Sequence, residues 1–313
     1  MTGLIIRRFI QLLLLLLGIS FLVFGSMYIA PGDPAAIIAG PTATASDLEA
    51  IRVEMGLDRP FLIQYVDYLG GVLQGDFGYS YQTGQSVMDA IVTRFPNTLK
   101  LSIASMVVAT IIGIVAGIVA AMKQNSWLDI SSTTIALLGV SIPNFWLGTM
   151  LILAFAVNLP WFPVGGLNAS IFTLQGIKEL ILPAITLGTA SAALIARMSR
   201  SSMLEVIRSD YIRTARAKGV RRKSVIWIHA LRNALIPVIT IIGINFGSLL
   251  GGTIITEQVF AINGVGRLMI DAIASRDFPI VQGTVLLVAA IFVVVNLIVD
   301  IIYAVVDPRI SYD

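Results

Sequence analysis

The 313-residue sequence contains no cysteine and a single histidine, His229. The first absence excludes a disulfide framework and any thiolate metal site, and the second leaves little for imidazole ligation or acid–base chemistry. Charge is scarce as well. Asp, Glu, Lys and Arg make up 12% of the chain, against about 25% in an ordinary soluble domain. A soluble body of this length cannot cover its surface with so few polar groups. What stands in their place is apolar: 57% hydrophobic residues and a mean hydropathy of +0.89. The composition is that of an integral membrane protein, all-α because helices satisfy their own backbone in lipid.

Runs free of charge, each near the ~20 residues that cross a bilayer, occur at 9–32, 101–122, 180–196, 233–256 and 278–299. A longer run, 130–177, holds a cluster of turn formers (Asn158, Pro160, Pro163, Gly165, Gly166, Asn168). It reads as one span at about 130–157, interrupted by Pro143, and then a loop; a re-entrant segment near 161–177 is the alternative. Six transmembrane helices result. Arg7, Arg8 and Leu12–Leu17 imitate a secretory signal, but the apolar run continues to Ala30 without a small-x-small cleavage site, so a retained first helix is expected.

Lys and Arg mark the cytoplasmic side. Segment 197–232 carries ten basic residues against Glu205 and Asp210, whereas 31–98 carries three against eight acids. With Arg7 and Arg8 before the first span and Lys123 after the second, six spans with both termini inside satisfy the asymmetry. The insert 31–98 begins with the helix stop Pro31-Gly32-Asp33-Pro34. It continues through a capping-box pattern, Ser46-Asp47-Leu48-Glu49, before a short helix to about Met55. Phe61, Tyr65, Tyr68, Leu69 and Val72 then recur at helical spacing. Such an insert is either a docking surface for an outside partner or a packed cap.

In the basic segment, Leu204, Ile207, Tyr211, Ile212 and Ala215 fall on one face of a helix, and Gly219 follows as its stop before Arg221-Arg222-Lys223. Either the helix lies among anionic headgroups, or it is presented to the groove of a cytosolic protein. Nucleic acid is a poor partner, because the run adjoins the membrane and lacks a stacking platform.

Motifs for chemistry are missing. Gly219-Val-Arg-Arg-Lys223-Ser224 lacks the second glycine and the spacing of a P-loop, and Gly264-Val-Gly266 lacks the third glycine of a dinucleotide fingerprint. Asp300 is the only acid placed near a span interior, an incomplete proton relay. The chain reads as a conduit without its own energy source, and no metal or cofactor is expected in it. Gly243, Gly247 and Gly251 form a small-residue ridge, as do Gly113 and Gly117. These ridges serve packing within one bundle or contact with a second subunit. Ser141 and Asn245 are uncharged polar residues at membrane depth; they either line a pathway or make interhelical hydrogen bonds.

Asp210-Tyr211-Ile212-Arg213-Thr214-Ala215-Arg216-Ala217-Lys218-Gly219 resembles the cytoplasmic coupling motif of ABC importer permeases, in the variant of the dipeptide, oligopeptide, glutathione and nickel group. Arg213-Thr214-Ala215 stands at the Glu-Ala-Ala positions of the general pattern and Gly219 at its glycine. Five further stretches resemble the first of the two permease subunits in such systems: Pro31-Gly32-Asp33-Pro34, Gly75-Asp76-Phe77-Gly78, Ala230–Pro237, Glu257-Gln258-Val259-Phe260 and Asp307-Pro308-Arg309-Ile310. Asn263-Gly264-Val265-Gly266 departs from the usual Pro-Gly-Leu-Gly.

The resemblance implies a type I ABC importer permease fold in the bacterial inner membrane. It implies an N-terminal tip and first helix (1–30), an extracytoplasmic insert (31–96), a permease core (97–306, with a coupling helix at about 203–219) and a cytoplasmic tail (307–313). The implied partners are a homologous second permease, two ATP-binding subunits that hold the ATP and magnesium, and an extracytoplasmic substrate-binding protein. ATPase coupling would fall to Tyr211 through Gly219, flanked by Glu205 and Arg222. The implied cargo is a dipeptide or oligopeptide, glutathione, or a nickel complex. The competing reading is a self-sufficient secondary transporter or channel, which calls for intramembrane charges or an inverted repeat of broken helices.

Overall fold

The computed structural model describes residues 2–29, 33–40, 42–221 and 224–306, with side chains from 10 to 299 inside those ranges. Pro31-Gly32, Arg222-Lys223, the tail 307–313 and the side chains of Arg7, Arg8 and Asp300 lie outside them. The described elements are helices: α1 (Thr2–Ile29), α2 (Pro34–Ala39), α3 (Ala45–Glu54), α4 (Phe61–Leu73), α5 (Val87–Met122), α6 (Trp127–Ser141) and α7 (Asn144–Leu151, continuing as a π-helix to Asn158). There follow α8 (Leu174–Ile207), α9 (Asp210–Ala217), a π-helix (Val225–Ala230), α10 (Leu231–Val259), α11 (Val265–Ser275) and α12 (Phe278–Val306). Five helices are long and apolar enough to span, or six when α6 and the α7 pair count as one. That pair is bent by 106°. The cause is Pro143, which removes a backbone donor and holds Ile142 extended (ψ 125°). The segment after Asn158 is irregular up to Thr173, as a loop should be, and not re-entrant helix.

The chain divides into two compact units. The first comprises residues 1–98 and 263–293. Here α4 lays Phe61, Tyr65 and Tyr68 against Phe21, Phe24 and Tyr28 of α1, with ring centroids 5.0–5.6 Å apart. The apolar spacing of α4 thus builds a packed cap on α1, while Leu62, Val66 and Leu73 remain exposed. The capping box lies two residues earlier than the pattern suggested. Thr44, not Ser46, is the N-cap, its hydroxyl accepting from Asp47 N–H while the Asp47 carboxylate accepts from Thr44 N–H. Donation from the Thr44 hydroxyl, and next from Thr44 N–H, holds the Asp47 carboxyl below its ordinary pKa. Asp33 caps α2 with Pro34 at its first position, and bonds Arg52 of α3 at 2.6 Å.

Beyond the cap, a tight turn closed by a bridge between Tyr79 and Ser86 leads into α5. Asp277, 4% exposed, holds it by accepting from the Ser80 hydroxyl and from Tyr81 N–H. Val87, Ile91, Ala272 and Ile280 form the local core, and a Cβ on Gly283 would sit 2.5 Å from Val87. The departing segment at Asn263 is specifically received: Arg94 donates to its side chain at 3.0 Å and Asn97 to its carbonyl at 3.1 Å.

The second unit comprises residues 99–262 and 294–313. Its core joins Leu101, Leu187, Ile195, Val238, Phe260 and Ile262. Glycine permits the closest approaches: a Cβ on Gly113 would lie 2.7 Å from Ile195, and one on Gly117 2.5 Å from Ala196 O. The Gly113–Gly117 ridge packs within the unit. The loop after Asn158 folds back so that Gly166 N–H bonds Phe260 O at 2.8 Å, and Glu179 of α8 accepts from Asn168 and Ala169 N–H.

Candidate coupling site

The basic segment is not one helix. α8 ends at Ile207, Arg208 caps it, and Ser209 turns to extended geometry (ψ 152°) before α9 begins at Asp210. The continuous helix expected at about 203–219 is therefore two helices on either side of a break. The apolar pattern ran across the break for a physical reason: both sides bury into one cluster. Met203 and Ile212 are completely buried there, with Val225, Ile226, Ala230 and Ala234, and Leu204, Ile207, Ala215 and Val220 pack around them.

That burial divides the expected coupling residues. Ile212 is an anchor and Ala215 is half buried, whereas Glu205, Tyr211, Arg213, Thr214, Arg216, Ala217, Lys218 and Gly219 are exposed. Arg213 is 77% exposed and reaches Asp210 at only 3.6 Å, an exposed pair worth little. Asp210 opens the helix and Arg216 closes it, each at the end where the helix dipole favours its charge. Gly219 stops it with φ +77°, its N–H bonding Arg216 O while Val220 N–H reaches back to Ala215 O, a Schellman closure. Arg222, the outer flank, is outside the described residues.

Several contacts of this site escaped sequence reading. Tyr211 ties α9 to the next helix, its hydroxyl accepting from Asn233 at 2.7 Å and donating to His229 O at 3.4 Å. Asn233 lies within Ala230–Pro237, so the motif held the signal but not the contact. Asp129, 4% exposed, receives both Nε (2.6 Å) and Nη2 (2.8 Å) of Arg200, and also Asn125 N–H. This bidentate pair joins α6 to α8. Arg208 reaches Gln124 at 3.4 Å. Among the described residues, two further acids are buried at the ends of apolar helices, Asp129 in the first turn of α6 and Glu257 in the last turn of α10.

The other sequence candidates fare differently. Ser141 bonds Leu137 O at 2.9 Å and Asn245 bonds Ile241 O at 2.8 Å, each on its own helix and not to another helix among the described residues. The short polar arms satisfy themselves four residues back. Neither residue lines the two apolar cavities, of about 290 and 330 Å³, beside α5, α6 and α8. Gly243 packs on Val299, Gly247 is buried, and Gly251 faces open space.

Comparison with known proteins extends this picture. Residues 113–312 match the family model described as binding-protein-dependent transport system inner membrane component, and residues 1–102 match the companion N-terminal model. The chain is 44% identical over 314 residues to a Brucella suis biovar 1 protein named "Putative peptide transport system permease protein", with the full length of both covered. It is 45% identical over 312 residues to the glutathione transport system permease protein GsiC of Escherichia coli K12, again over the full length of both. In fold it resembles a chain of the inward-facing MetNI methionine ABC transporter (TM-score 0.56, 22% identity, 70% of this chain and 97% of that one). A chain of an amino acid ABC transporter is similar at TM-score 0.51 and 15% identity, covering 71% and 94%.

Proposed function

Because the chain belongs to the binding-protein-dependent transport system inner membrane components, the permease subunits of ABC importers, we propose that α9 is the element through which it receives the work of a cytosolic ATPase. One observation carries this reading: α9 is fixed from beneath by a fully buried Ile212 and closed by Gly219, yet presents Arg213, Thr214, Arg216 and Lys218 outward. A helix of eight residues has no stability of its own, so its face is held in place by that anchor. The tie from Tyr211 to Asn233 then passes a displacement of α9 to α10.

The chain is a multi-pass protein of the bacterial inner membrane, and such permeases work with ATPase and substrate-binding partners. In the arrangement we favour, both termini are inside and a homologous second permease completes the path. Two ATPases carry the nucleotide and magnesium, each taking one coupling helix, and this chain performs no catalysis itself. ATP closure of the ATPase pair must bind one permease state more tightly than the other, since only a difference in affinity shifts the equilibrium. The names of the relatives at 44–45% identity, peptide and glutathione permeases, favour a short peptide as cargo.

The test is reconstitution. Proteoliposomes holding this chain, the second permease, the ATPases and the binding protein should take up dipeptide only with ATP, and Arg213→Glu with Arg216→Glu should abolish uptake without loss of insertion. Ion-gradient uptake by this chain alone would establish a secondary transporter instead.

A further inference from the structure

Leu62, Val66 and Leu73 of α4 are 66%, 64% and 86% exposed, on a helix that packs against a membrane span. What covers them follows from where α4 sits on α1. The apolar span of α1 runs over 20 residues, Ile10–Ile29, and at 1.5 Å per residue it matches the ~30 Å hydrocarbon core. Phe61 and Tyr68, two turns apart on α4, both meet Phe24, with ring centroids 5.5 and 5.3 Å away. The helix α4 therefore crosses α1 and does not run alongside it. The crossing at Phe24 lies five residues inside Ile29, about 7–8 Å below the end of the span. Interfacial amphipathic helices lie at that depth, about 5–10 Å into the boundary of headgroups and acyl chains.

Side chains around the crossing set its roll. At about 100° per residue, the face that α4 lays on α1 (Phe61, Tyr65, Tyr68) has Leu62, Val66 and Leu73 on one flank and Gln64 and Asp67 on the other. Tyr65 stands at the edge of that face nearest the apolar flank. Its hydroxyl reaches deep along α1, 2.9 Å from that of Ser20 and donating to Leu17 O at 3.3 Å. Gln64 opens the polar flank and accepts from the Tyr28 hydroxyl, near the Ile29 end of the span. The apolar flank thus faces the middle of the bilayer and the polar flank faces away from it. The one hydroxyl that α4 sends toward Leu17 is bonded there, as a group surrounded by lipid must be.

We infer that α4 is an interfacial helix, seated in the leaflet at the Ile29 end of α1 with Leu62, Val66 and Leu73 among phospholipid acyl chains. That this leaflet is the outer one rests on the proposed placement of both termini inside; the depth rests on α1 alone. The insert between α1 and α5 is then fastened to the bilayer at its middle and is not wholly outside it.

The chain has no cysteine, so a single introduced thiol reports alone. Val66 and Asp67 are adjacent and comparably exposed, at 64% and 58%, so the protein itself shields neither. Asp67→Cys gives up only an exposed pair with Arg59, worth little to folding. In phosphatidylcholine nanodiscs holding the full chain, a membrane-impermeant maleimide should label Val66→Cys about tenfold more slowly than Asp67→Cys. A bimane on Val66→Cys should be quenched by doxyl-labelled lipid about twofold more than one on Asp67→Cys, and Leu62→Cys should follow Val66→Cys. Equal labelling and equal quenching at the two positions overturn the proposal. The same pair is then read in the assembled importer, built with cysteine-free partner subunits. Quenching that persists there supports lipid as the occupant, whereas a Val66→Cys thiol that is protected but no longer quenched is covered by protein, which overturns it. Sidedness is read separately in right-side-out vesicles, where Asp67→Cys should be labelled from outside. Labelling only after permeabilisation would refute the inside placement of the termini and the outer leaflet with it, while the depth measured in nanodiscs would stand.

Discussion

Truncating Ile212 to alanine separates anchoring from contact at α9. The side chain is completely buried, with Met203, Val225 and Ala230 around it, so the change removes apolar burial and leaves a cavity. Such truncations cost about 2–5 kcal/mol. Because α9 has only eight residues and cannot persist undocked, this cost falls on its docking and not on the helices beneath. At about 1.4 kcal/mol per tenfold, even the lower figure raises the undocked fraction roughly thirtyfold. Hydrogen exchange on the chain in nanodiscs should therefore accelerate by about that factor at residues 212–220 and remain unchanged in α8. In the reconstituted importer, solute carried per ATP should fall while ATP hydrolysis continues. Ile212→Val, at about 0.5–1.5 kcal/mol, should give a graded intermediate. Arg213→Ala is the counterpart: its side chain is 77% exposed, so exchange should stay at the wild-type rate while affinity for the ATPase drops. Wild-type exchange together with wild-type coupling in Ile212→Ala would refute the anchor, and would mean that α9 is held by its partner.

Two further substitutions probe the second unit. Gly117→Val places a Cβ 2.5 Å from both Ala196 O and Ser199 Cβ, an overpacking of about 1–3 kcal/mol that should lower the melting temperature in detergent, whereas Gly251→Ala, facing open space, should not. Asp129→Asn breaks the bidentate pair between the buried Asp129 and the one-third-exposed Arg200, at a cost of about 1–3 kcal/mol. Adding Arg200→Met should recover much of that loss in the same melting assay, since it removes the stranded charge.

The spans were legible because scarcity of charge in a long helix is itself the signal for lipid. Their ends were not, and the reason lies in individual side chains. Charge-free runs stopped at Arg197 and began at Leu180 and Leu101, yet α8 reaches from Leu174 to Ile207 and α5 begins at Val87. Three of the terminal charges find specific partners: Arg94 the side chain of Asn263, Glu179 two loop amides, Arg200 the carboxylate of Asp129. None of these partners is near in sequence, so composition alone draws the boundary too early. The same limit explains Thr44. A hydroxyl three residues before an acid marks a helix start, and two overlapping patterns, Thr44–Asp47 and Ser46–Glu49, satisfied that rule equally; only the backbone geometry chose.

The candidate coupling site shows a deeper limit, because the sequence pattern assigned its residues one common role. Periodicity records which positions are apolar, and it cannot record whether two apolar positions lie on one helix or on two that share a core. Leu204 and Ile207 belong to α8, Tyr211, Ile212 and Ala215 to α9, and the turn at Arg208-Ser209 lets both groups face the same cluster. The break matters mechanically. An unbroken helix from 203 to 219 would move α9 and α8 as one rod, and a push on Arg213 would be felt along the whole of α8. If α9 receives an ATPase as proposed above, the break makes it a separate lever, attached through the Ile212 cluster and the Tyr211–Asn233 bond. A push on it would then divide between α8, through the cluster, and α10, through that bond. On that reading the exposed cations depend on the buried isoleucine that fixes where they point.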